Sequence, residues 1–442
     1  MKRIQSVDFG IWPARFRKLS DAMISRPWLM LLIFALLYLQ FIFVYGWEYR
    51  NIPNVDLPSF YAAGARFFRY GESPYDLASM RLFMSQDARY VYPFVYPPQS
   101  LLLFFPLSEL TYEHARLAVL LVNHLVFLAL MWMIPAHLLR LWPERALAFA
   151  LCVLYLLTFS PVAITLNHGQ VNIMLLACIV LFWLFARRRY AFLAGFFLAL
   201  AILLKTYPLV IIPFLLLIGR WRESAYALGW FGVATMISLM IIPTPIWHDW
   251  ITIVLPNGGY TGNPPGLASA AIWNQSLNGV FSRAFTENRW SPPLLVDPGL
   301  ARLLAYGAAS LAAAVTAIAV WKSRFKPDSL DGAVLVALPL MYLVAPFSWE
   351  HHLVYLLPSI LMLLTSRNSL SPLSRRVYYG LCAVSALAIT LPQLLEFKLY
   401  AVALLWGLCV FAVWSREIEL PGRQLENNAA HHQRPENTAR TN

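Results

Sequence analysis

Charged side chains are scarce in this sequence of 442 residues, of which 13% are Asp, Glu, Lys or Arg, where a soluble domain has about 25%. With 59% hydrophobic residues, this deficit excludes an ordinary soluble protein and indicates a polytopic membrane protein. Acidic residues are the scarcer sign, 22 against 34 basic ones. The basic excess does not indicate a nucleic acid partner, because Lys and Arg lie in short turns and at the termini rather than on one continuous face.

Cysteines are few, and nucleotide-binding motifs do not occur. Cys152, Cys178, Cys382 and Cys409 all fall inside apolar runs, which favours packing roles and supports neither a disulfide framework nor a zinc knuckle. The glycine-rich patterns G-x-x-x-x-G-K-[ST] and G-x-G-x-x-G do not occur, so no nucleotide-binding domain is expected. No small-residue cleavage site follows the first apolar run, so the N-terminus does not read as a cleaved signal peptide.

Long apolar runs are what the sequence has instead. Runs long enough to cross ~30 Å of hydrocarbon lie near 28–46, 112–139, 146–166, 170–186, 224–244, 303–321, 329–347, 352–366, 377–394 and 397–414. The stretch 190–219 is broken by LLKTYPL and predicts two short helices that meet at Lys205 to Pro208. The piece 100–107 is too short to cross and is expected to be a re-entrant or interfacial segment. Together these runs predict an all-α membrane fold of about twelve spans.

The distribution of Lys and Arg predicts the orientation of these spans, because basic residues favour the cytoplasmic side. Basic clusters lie in the N-terminal segment and then at every second turn, at 140–145, 187–189, 219–222, 322–326 and 367–376. The predicted organisation is a cytoplasmic segment 1–27, a transmembrane domain 28–416 and a disordered cytoplasmic tail 417–442. Large outer loops, 47–111 and 245–302, face the periplasm or exterior of a bacterial cytoplasmic membrane.

Two charged residues stand out on the predicted outer side. Asp56 precedes a short amphipathic helix that is expected to lie in the membrane interface, with Arg66 and Arg69 near lipid headgroups. The Asp56 carboxylate is either the N-cap of that helix or a general base. Lys205 lies between two apolar half-helices, where an unpaired lysine is costly. Binding of a phosphate or carboxylate explains Lys205 better than snorkelling does.

Further polar side chains gather at the outer ends of other spans, in NHGQVN (167–172), WNQSLNGVFSR (273–283) and SWEHH (348–352). Adjacent histidines rarely chelate one ion, so His351 and His352 favour hydrogen bonding over a metal site. Neighbours on a helix point about 100° apart, so one of the two is expected to face the cavity, with Glu350 orienting an imidazole.

The outer polar residues predict one cavity that combines a carboxylate, a buried lysine, amides, imidazoles and aromatic rings, which suits a sugar ligand. A transporter or flippase of lipid-linked sugars is the main alternative, because broken helices also build transport sites. That alternative predicts an inverted repeat, and the two halves of the sequence share no order of motifs.

Four segments, VDLPSFYAAGARFFRYGESPYD, FVYPPQSLLLFFPLSEL, NHGQVNIMLLA and GFFLALAILLKTYPLVIIPFLLL, occur in this order and resemble glycosyltransferase family 87 from about residue 50 to 360. The resemblance implies a C-type glycosyltransferase fold that transfers a hexose, commonly mannose, from a polyprenyl-phosphate donor on the outer face. A transferase of arabinofuranose or another sugar on the same fold is a further alternative. The turn of the family is usually N-G-Q, and this chain inserts His168.

The resemblance implies that Asp56 is the catalytic base of an inverting transfer. The residues predicted to bind the donor phosphate are Lys205, His168, His351, His352 and Arg283. The residues predicted to bind the sugar or acceptor are Tyr61, Tyr96, Asn167, Gln170, Asn172, Asn274, Asn278, Trp349 and Glu350. No Asp-x-Asp pair occurs in the loop 47–111, so catalysis is expected to need no metal and no cofactor. The expected partners are the polyprenyl-phosphate-linked sugar, a glycolipid or glycan acceptor and membrane lipids.

Overall fold

A computed structural model describes residues 27–51, 55–88, 90–139, 145–391 and 397–420. The predicted N-terminal segment up to residue 26, and the tail from residue 421, lie outside the described residues. The helices are α1 Pro27–Asn51, α2 Leu57–Tyr70, α3 Leu77–Phe83, α4 Leu101–Ser108, α5 Tyr112–Leu138, α6 Arg145–Thr158, α7 Ser160–His168, α8 Asn172–Arg187, α9 Ala191–Leu204, α10 Ile211–Leu217, α11 Trp221–Ile241, α12 Thr244–Asp249, α13 Leu277–Phe285, α14 Pro298–Ser323, α15 Ser329–Val344, α16 Leu357–Thr365, α17 Pro372–Thr390 and α18 Lys398–Trp414.

Short segments of other types connect these helices. They are 3₁₀ turns at Pro98–Ser100, Tyr207–Val210 and Glu350–Leu356, and a π-helical turn at Trp250–Val254. Strand β1 (Arg367–Asn368) pairs antiparallel with β2 (Ile418–Glu419). The polar tail predicted to be disordered from residue 417 therefore begins with a short ordered strand.

Three helices within the described residues are long and apolar enough to cross a membrane: α5, α11 and α14. The bent pair α6 and α7, which meet at 45°, makes a fourth if the two form one span. The shorter apolar helices are 31–43, 172–187, 191–204, 207–217, 329–344 and 398–414. The prediction of an all-α membrane protein is confirmed in this coarser form, and the count of twelve spans stays a prediction.

One predicted span has a different form in the structure. Residues 352–366 do not make a single crossing helix, because their first part belongs to the 3₁₀ turn and α16 has nine residues, a length of about 14 Å. Nearly all of this stretch is buried inside the protein. An apolar run of fifteen residues therefore reflects a buried core segment here, which hydropathy cannot distinguish from a short span.

Helix α15 forms the centre of the core and is buried from Leu330 to Leu343. A helix that is apolar on every side is stable when other helices cover it, and α15 packs against α14 and α18. Helix α9 packs closely against α8 and α11. A Cβ atom on Gly195 of α9 would lie 2.4 Å from the Cβ of Tyr226, so glycine is required at this helix crossing.

Helix α2 is largely enclosed by protein, since every residue from Leu57 to Phe67 is buried. The two arginines predicted to contact lipid headgroups contact protein groups. Arg66 pairs with Glu72 at 2.8 Å, and the Arg69 guanidinium donates to the carbonyl of Leu110 at 2.7 Å. The location of α2 in the membrane interface therefore stays a prediction.

The cysteine prediction is confirmed. Cys152, Cys178, Cys382 and Cys409 are buried and unpaired, and they serve as small apolar packing residues.

Candidate active site

Asp56 stands at the N-cap position of α2, but its carboxylate does not cap the helix. Its backbone N–H donates to the carbonyl of His168 at 3.1 Å, which joins the start of α2 to the end of α7. The residue is 5% exposed. Asp56 is therefore the N-cap residue of α2, as one of the two predictions had it, but its side chain makes no capping hydrogen bond. The carboxylate oxygens are left available for chemistry.

Two imidazoles lie beside the Asp56 carboxylate. Its Oδ2 lies 3.4 Å from His168 Nδ1, and the rings of His168 and His351 contact each other at a centroid distance of 5.4 Å. One ligand atom from each of these three residues lies within 4.8 Å of the others. Asp56 Oδ2, His168 Nδ1 and His351 Nε2 are all buried without a hydrogen-bond partner. We call these three residues the Asp56 group.

The Asp56 carboxylate is held in its ionised form. Burial by itself would raise its pKa, but the His168 imidazole and the Gln170 side chain stabilise the negative charge and leave the pKa below its ordinary value. Three residues close to His168 in the sequence have buried side-chain amide oxygens without a hydrogen-bond partner: Asn167, Gln170 and Asn172. They are free to accept hydrogen bonds from the hydroxyl groups of a ligand.

Lys205 and His352 form a second pair. Lys205 ends α9, and its Nζ lies 2.8 Å from His352 Nε2. The residue Lys205 is 4% exposed, and this burial lowers the pKa of its amine to about 7. Near neutral pH the pair therefore holds a lysine that gains or loses its charge easily.

The bonding of His352 defines its tautomer. The backbone N–H of Trp349 donates to His352 Nδ1 at 3.3 Å, and burial lowers the pKa of His352 well below its ordinary value. A neutral imidazole carries one N–H, so this hydrogen lies on Nε2 and faces Lys205 Nζ. In this arrangement the amine of Lys205 accepts, which requires its uncharged form.

The 3₁₀ turn Glu350–Leu356 gives the two adjacent histidines different neighbours. Their rings lie at 89° to each other, 4.6 Å apart between centroids, so that His351 contacts His168 and His352 contacts Lys205. Both rings lie among the predicted site residues, and the prediction that one of the two faces a ligand cavity stays a prediction. Asn172 fixes the turn by donating from Nδ2 to the carbonyl of His351 at 2.9 Å.

Aromatic rings cover the Lys205 pair. Trp349 stacks on His352 with 17° between the ring planes. Tyr207 lies edge-on to His352 and donates its hydroxyl hydrogen to the carbonyl of Phe347 at 3.0 Å. The Trp349 indole N–H is buried without a partner, so it is available to a ligand oxygen.

Glu350 and Lys398 make a contact that the sequence did not reveal. Lys398 Nζ lies 3.5 Å from Glu350 Oε1, and it also donates to the carbonyls of Ala388, Ile389 and Leu391. Lys398 is 0% exposed. Burial raises the pKa of Glu350, and the Lys398 ammonium opposes this rise. Glu350, predicted to orient an imidazole, instead ties the turn to the end of α17.

Several residues predicted to bind a ligand are engaged in bonds within the protein. Asn274 Nδ2 donates to the carbonyls of Ser269 and Pro346, and Asn278 Nδ2 donates to Pro346 as well. Arg283 Nη1 donates to the carbonyls of Ala271 and Asn274. The two bonds to Pro346 fasten the segment 245–302 to the residues before the histidine turn, and the other bonds lie within the segment.

The two predicted tyrosines also have protein contacts. The Tyr61 hydroxyl donates to the carbonyl of Leu110 at 2.9 Å. The Tyr96 ring packs against Phe60 and Phe94, both at 5.4 Å between centroids. Burial raises the pKa of Tyr96 well above its ordinary value, and Asp56 contributes to this rise through its charge. Tyr96 therefore lies in the field of the Asp56 carboxylate.

The donor set of the Asp56 group also suits a metal ion. One carboxylate and two imidazoles are ligands that zinc accepts in catalytic sites, and the three atoms are close enough to share an ion. Catalysis without a metal, as expected from the sequence, therefore stays a prediction that chelation tests.

Comparison with known proteins adds to this geometry. Residues 94–346 match the profile of Glycosyltransferase family 87. The polyprenol-phosphate-mannose-dependent alpha-(1-2)-phosphatidylinositol pentamannoside mannosyltransferase of Mycobacterium tuberculosis (strain CDC 1551 / Oshkosh) is 24% identical over 320 residues, which cover 72% of this chain and 68% of the relative. The protein of the same name in Mycolicibacterium smegmatis is 26% identical over 360 residues, 80% of each chain.

A third relative is the polyprenol-phosphate-mannose-dependent alpha-(1-2)-phosphatidylinositol mannoside mannosyltransferase of Mycobacterium tuberculosis (strain ATCC 25618 / H37Rv). It is 26% identical over 288 residues, covering 61% of this chain and 62% of the relative. No solved structure matches the chain. Because the family profile covers more than half of the sequence and the resemblance noted in the sequence is thereby confirmed, the chain belongs to glycosyltransferase family 87.

Proposed function

We propose that this protein transfers mannose from a polyprenyl-phosphate donor to a hydroxyl group of a glycolipid or glycan. The proposal is supported by the names of the three relatives, which are all polyprenol-phosphate-mannose-dependent mannosyltransferases. The names of two relatives give a phosphatidylinositol pentamannoside, and the name of the third gives a phosphatidylinositol mannoside. We therefore propose a glycolipid as the acceptor.

The observation that carries the proposal is the opposition of two unlike groups in one buried site. The Asp56 group supplies an ionised carboxylate, and the Lys205–His352 pair supplies an imidazole N–H and an amine that becomes a cation when it gains a proton. The charges of Asp56 and Lys205 affect each other, because the carboxylate raises the pKa of Lys205 against the effect of burial. Transfer from a glycosyl phosphate needs groups that stabilise the leaving phosphate and a base that deprotonates the attacking hydroxyl.

On the donor side, Lys205 and His352 hold the phosphate. A phosphate oxygen replaces the uncharged amine as the partner of His352 Nε2–H, while the added negative charge favours the ammonium form of Lys205. The indole N–H of Trp349 is a further donor toward this place. Stabilised by these groups, the polyprenyl phosphate leaves without needing a general acid.

On the acceptor side, Asp56 is the general base. The acceptor hydroxyl loses its proton to a carboxylate oxygen as the acceptor oxygen forms its bond to the anomeric carbon. The bond between that carbon and the phosphate oxygen breaks, and its electron pair stays on the phosphate. Attack opposite the leaving group passes through an oxocarbenium-like state and inverts the anomeric configuration.

The placement of basic residues supports an outward-facing site. Helix α8 begins at Asn172 beside the site and ends at Arg187, next to Arg188 and Arg189. Because basic turns favour the cytoplasmic side, the opposite end of α8 faces the periplasm or exterior. A lipid-borne donor supplies the sugar there without nucleotides.

The family match covers some of the predicted site residues and not others. The matched range, 94–346, includes Lys205 and the NHGQ turn, but it begins after Asp56 and ends before His351. The roles of Asp56 and of the two adjacent histidines therefore rest on geometry. This makes their substitution the most informative kind of test.

The experiment is transfer of radiolabelled mannose from polyprenyl-phosphate-mannose in membranes that contain the full-length protein. Membranes from the same host without the protein are the control. We expect labelled glycolipid in the first sample and an inverted anomeric configuration in the product. Transfer from no lipid-linked sugar would refute the enzyme proposal, and transfer from a different sugar donor would correct the sugar.

A further inference from the structure

A cavity between the first turns of α9 and α11 lies outside the site described above. Its volume is about 460 Å³, within the range of about 300–1,000 Å³ that small-molecule sites occupy. Two arginines and three aromatic residues contribute to its lining: Arg189, Arg222, Phe192, Trp221 and Tyr226. We call it the Arg189 cavity. Guanidinium groups bind phosphate and stack on aromatic rings, so this lining favours an anion that carries an apolar part.

The Arg189 cavity lies far from the candidate active site along the same helix. Helix α9 begins at Ala191 beside the cavity and ends next to Lys205, so about 21 Å of helix separates the two places. Because basic turns favour the cytoplasmic side, we expect the cavity at the cytoplasmic leaflet. Trp221 is exposed there and begins α11, which is long and apolar enough to cross a membrane. Tryptophan at the end of such a helix is typical of a membrane interface.

The charges of Arg189 and Arg222 are not neutralised by the protein. Both side chains are exposed, and neither forms an ion pair with an acidic residue in the part of the chain that the structure describes. Glu223, the next residue after Arg222, is buried and bonded to Arg220 at 2.7 Å. The Arg222 guanidinium lies over its neighbour's ring, 5.3 Å from the centroid of Trp221. Two guanidinium groups are therefore available to an anion in this cavity.

The backbone at Arg189 is unusual for a residue with a side chain. Its φ of 62° lies in the left-handed region, which glycine adopts at the lowest cost. The turn before α11 is built in the same way, with Gly219 (φ 75°) two residues before the helix. In both turns this residue donates its backbone N–H to the carbonyl three residues earlier, at 3.1 Å. Folding alone favours glycine at both positions, so the arginine at 189 points to a role for its side chain.

A strip of aromatic rings extends from the Arg189 cavity along α9 and α11. Phe192 contacts Tyr226 at 5.5 Å between ring centroids, and Trp230 contacts both Phe192 and Phe196 at 5.4 Å. Phe192, Phe196 and Tyr226 are exposed on the surface of the protein. The strip advances along both helices from their first turns toward their middles. Such a surface suits a hydrocarbon chain, whereas a free phosphate needs no apolar strip.

We propose that the Arg189 cavity binds an anionic phospholipid of the cytoplasmic leaflet. Arg189 and Arg222 donate hydrogen bonds to the oxygens of its phosphate group, as basic pockets between membrane helices do. One acyl chain lies along the aromatic strip. This lipid takes part in no chemical step, and its site is separate from the places proposed for the sugar donor and acceptor.

The test uses full-length protein in detergent micelles that contain equal amounts of dioleoyl-phosphatidylglycerol and dioleoyl-phosphatidylcholine. Native mass spectrometry measures which lipid each variant retains. We expect wild type to retain one phosphatidylglycerol with a preference of about tenfold or more, and R189G/R222Q to lose that preference. The matched control R188Q removes a charge from the same turn, and Arg188 is exposed without lining the cavity. Its preference should stay within about twofold of wild type, as for an ordinary surface charge.

Thermal unfolding shows whether a loss of lipid reflects a loss of fold. R189G should not lower the apparent Tm measured without lipid, because glycine suits the left-handed backbone. If R189G/R222Q does not fold, R189N/R222Q takes its place, since asparagine also tolerates this conformation.

Three results would overturn the proposal. The first is an equal preference for phosphatidylglycerol in wild type and R189G/R222Q, or none in wild type. The second is an equal loss in R188Q, which would indicate attraction by the total basic charge. The third is a rise in the Tm of wild type with inorganic phosphate, absent in R189G/R222Q, when phosphatidylglycerol is not retained; the ligand would then be a soluble phosphate. Mannose transfer is not measured, so failure here leaves the proposed function unaffected.

Discussion

Lys205 Nζ lies 2.8 Å from His352 Nε2, with both side chains buried between α9 and the 3₁₀ turn Glu350–Leu356. Two nitrogens at this distance share one hydrogen when one of them is uncharged, and burial favours the uncharged amine of Lys205. The site thus keeps a latent cation at the place proposed for the donor phosphate. An arriving phosphate converts this neutral pair into a charge-assisted contact.

The first prediction concerns the pH dependence of donor use. The pKa of Lys205 is lowered to about 7, so the phosphate-binding ammonium is present below pH 7 and is lost as the pH rises above it. The value of kcat/KM for the donor, which reports the free enzyme, should therefore decline above about pH 7. On the acid side the low pKa of Asp56 keeps the base ionised, so activity should persist to about pH 5, above the ordinary value of a carboxyl group.

The variant K205R tests the origin of the alkaline decline. Arginine remains charged throughout this range, so any residual activity of K205R should lose the decline near pH 7. A decline of unchanged position in K205R would show that a group other than Lys205 causes it.

The second prediction separates the adjacent histidines. His352 contacts Lys205, whereas His351 contacts His168. H352A should raise the donor KM about tenfold or more, since a hydrogen bond to a charged group contributes about 1.5–3 kcal/mol. H351A should mainly lower kcat. Equal effects of the two substitutions on both constants would contradict the division of the turn into two sides.

The third prediction concerns stability. Lys398 holds three carbonyls at the end of α17 together with Glu350, and removal of one partner of a buried ion pair costs about 3–5 kcal/mol. K398M should therefore lower the apparent Tm of the purified protein by several degrees. E350Q, which keeps an oxygen acceptor, should lower it less. The control R376M changes an exposed side chain; an equal loss there would discount the Lys398 result.

The fourth prediction concerns metals. If Asp56 works as a general base without a metal ion, a strong chelator should leave mannose transfer intact and metal analysis should find no bound ion. The group contains one carboxylate and two imidazoles within 4.8 Å, so this is a demanding test. Activity that disappears with the chelator and returns with zinc or manganese would contradict metal-independent catalysis by Asp56.

The sequence was sufficient to find the residues whose chemistry is conspicuous. A lysine between two apolar half-helices and a carboxylate before an amphipathic helix are unusual at a membrane, and the structure places Lys205 and Asp56 in one electrostatically connected site. The break of 190–219 into two short helices also agrees with the observed α9 and α10. The signals were the energetic cost of a charged side chain at a membrane and the interruption of an apolar run.

Roles that depend on tertiary partners were beyond the sequence. Asn274 was predicted to bind a sugar, but its amide is bound to Ser269 and Pro346. Lys398 was not singled out, because a lysine at the start of an apolar run usually marks a membrane interface. Its acceptors lie on α17, and Glu350 is 48 positions away in the chain. No sequence pattern shows that these groups meet.

The central claim is that the Asp56 carboxylate is the base. The most direct test measures kcat for mannose transfer by D56N against wild type, with D76N as the matched control. Asp76 lies in the same loop, where its carboxylate caps α3 and accepts from the N–H groups of Ala78 and Ser79. We predict that kcat of D56N falls by at least about 100-fold, with normal folding and donor KM, while D76N keeps wild-type kcat. Equal kcat in D56N and wild type would contradict it.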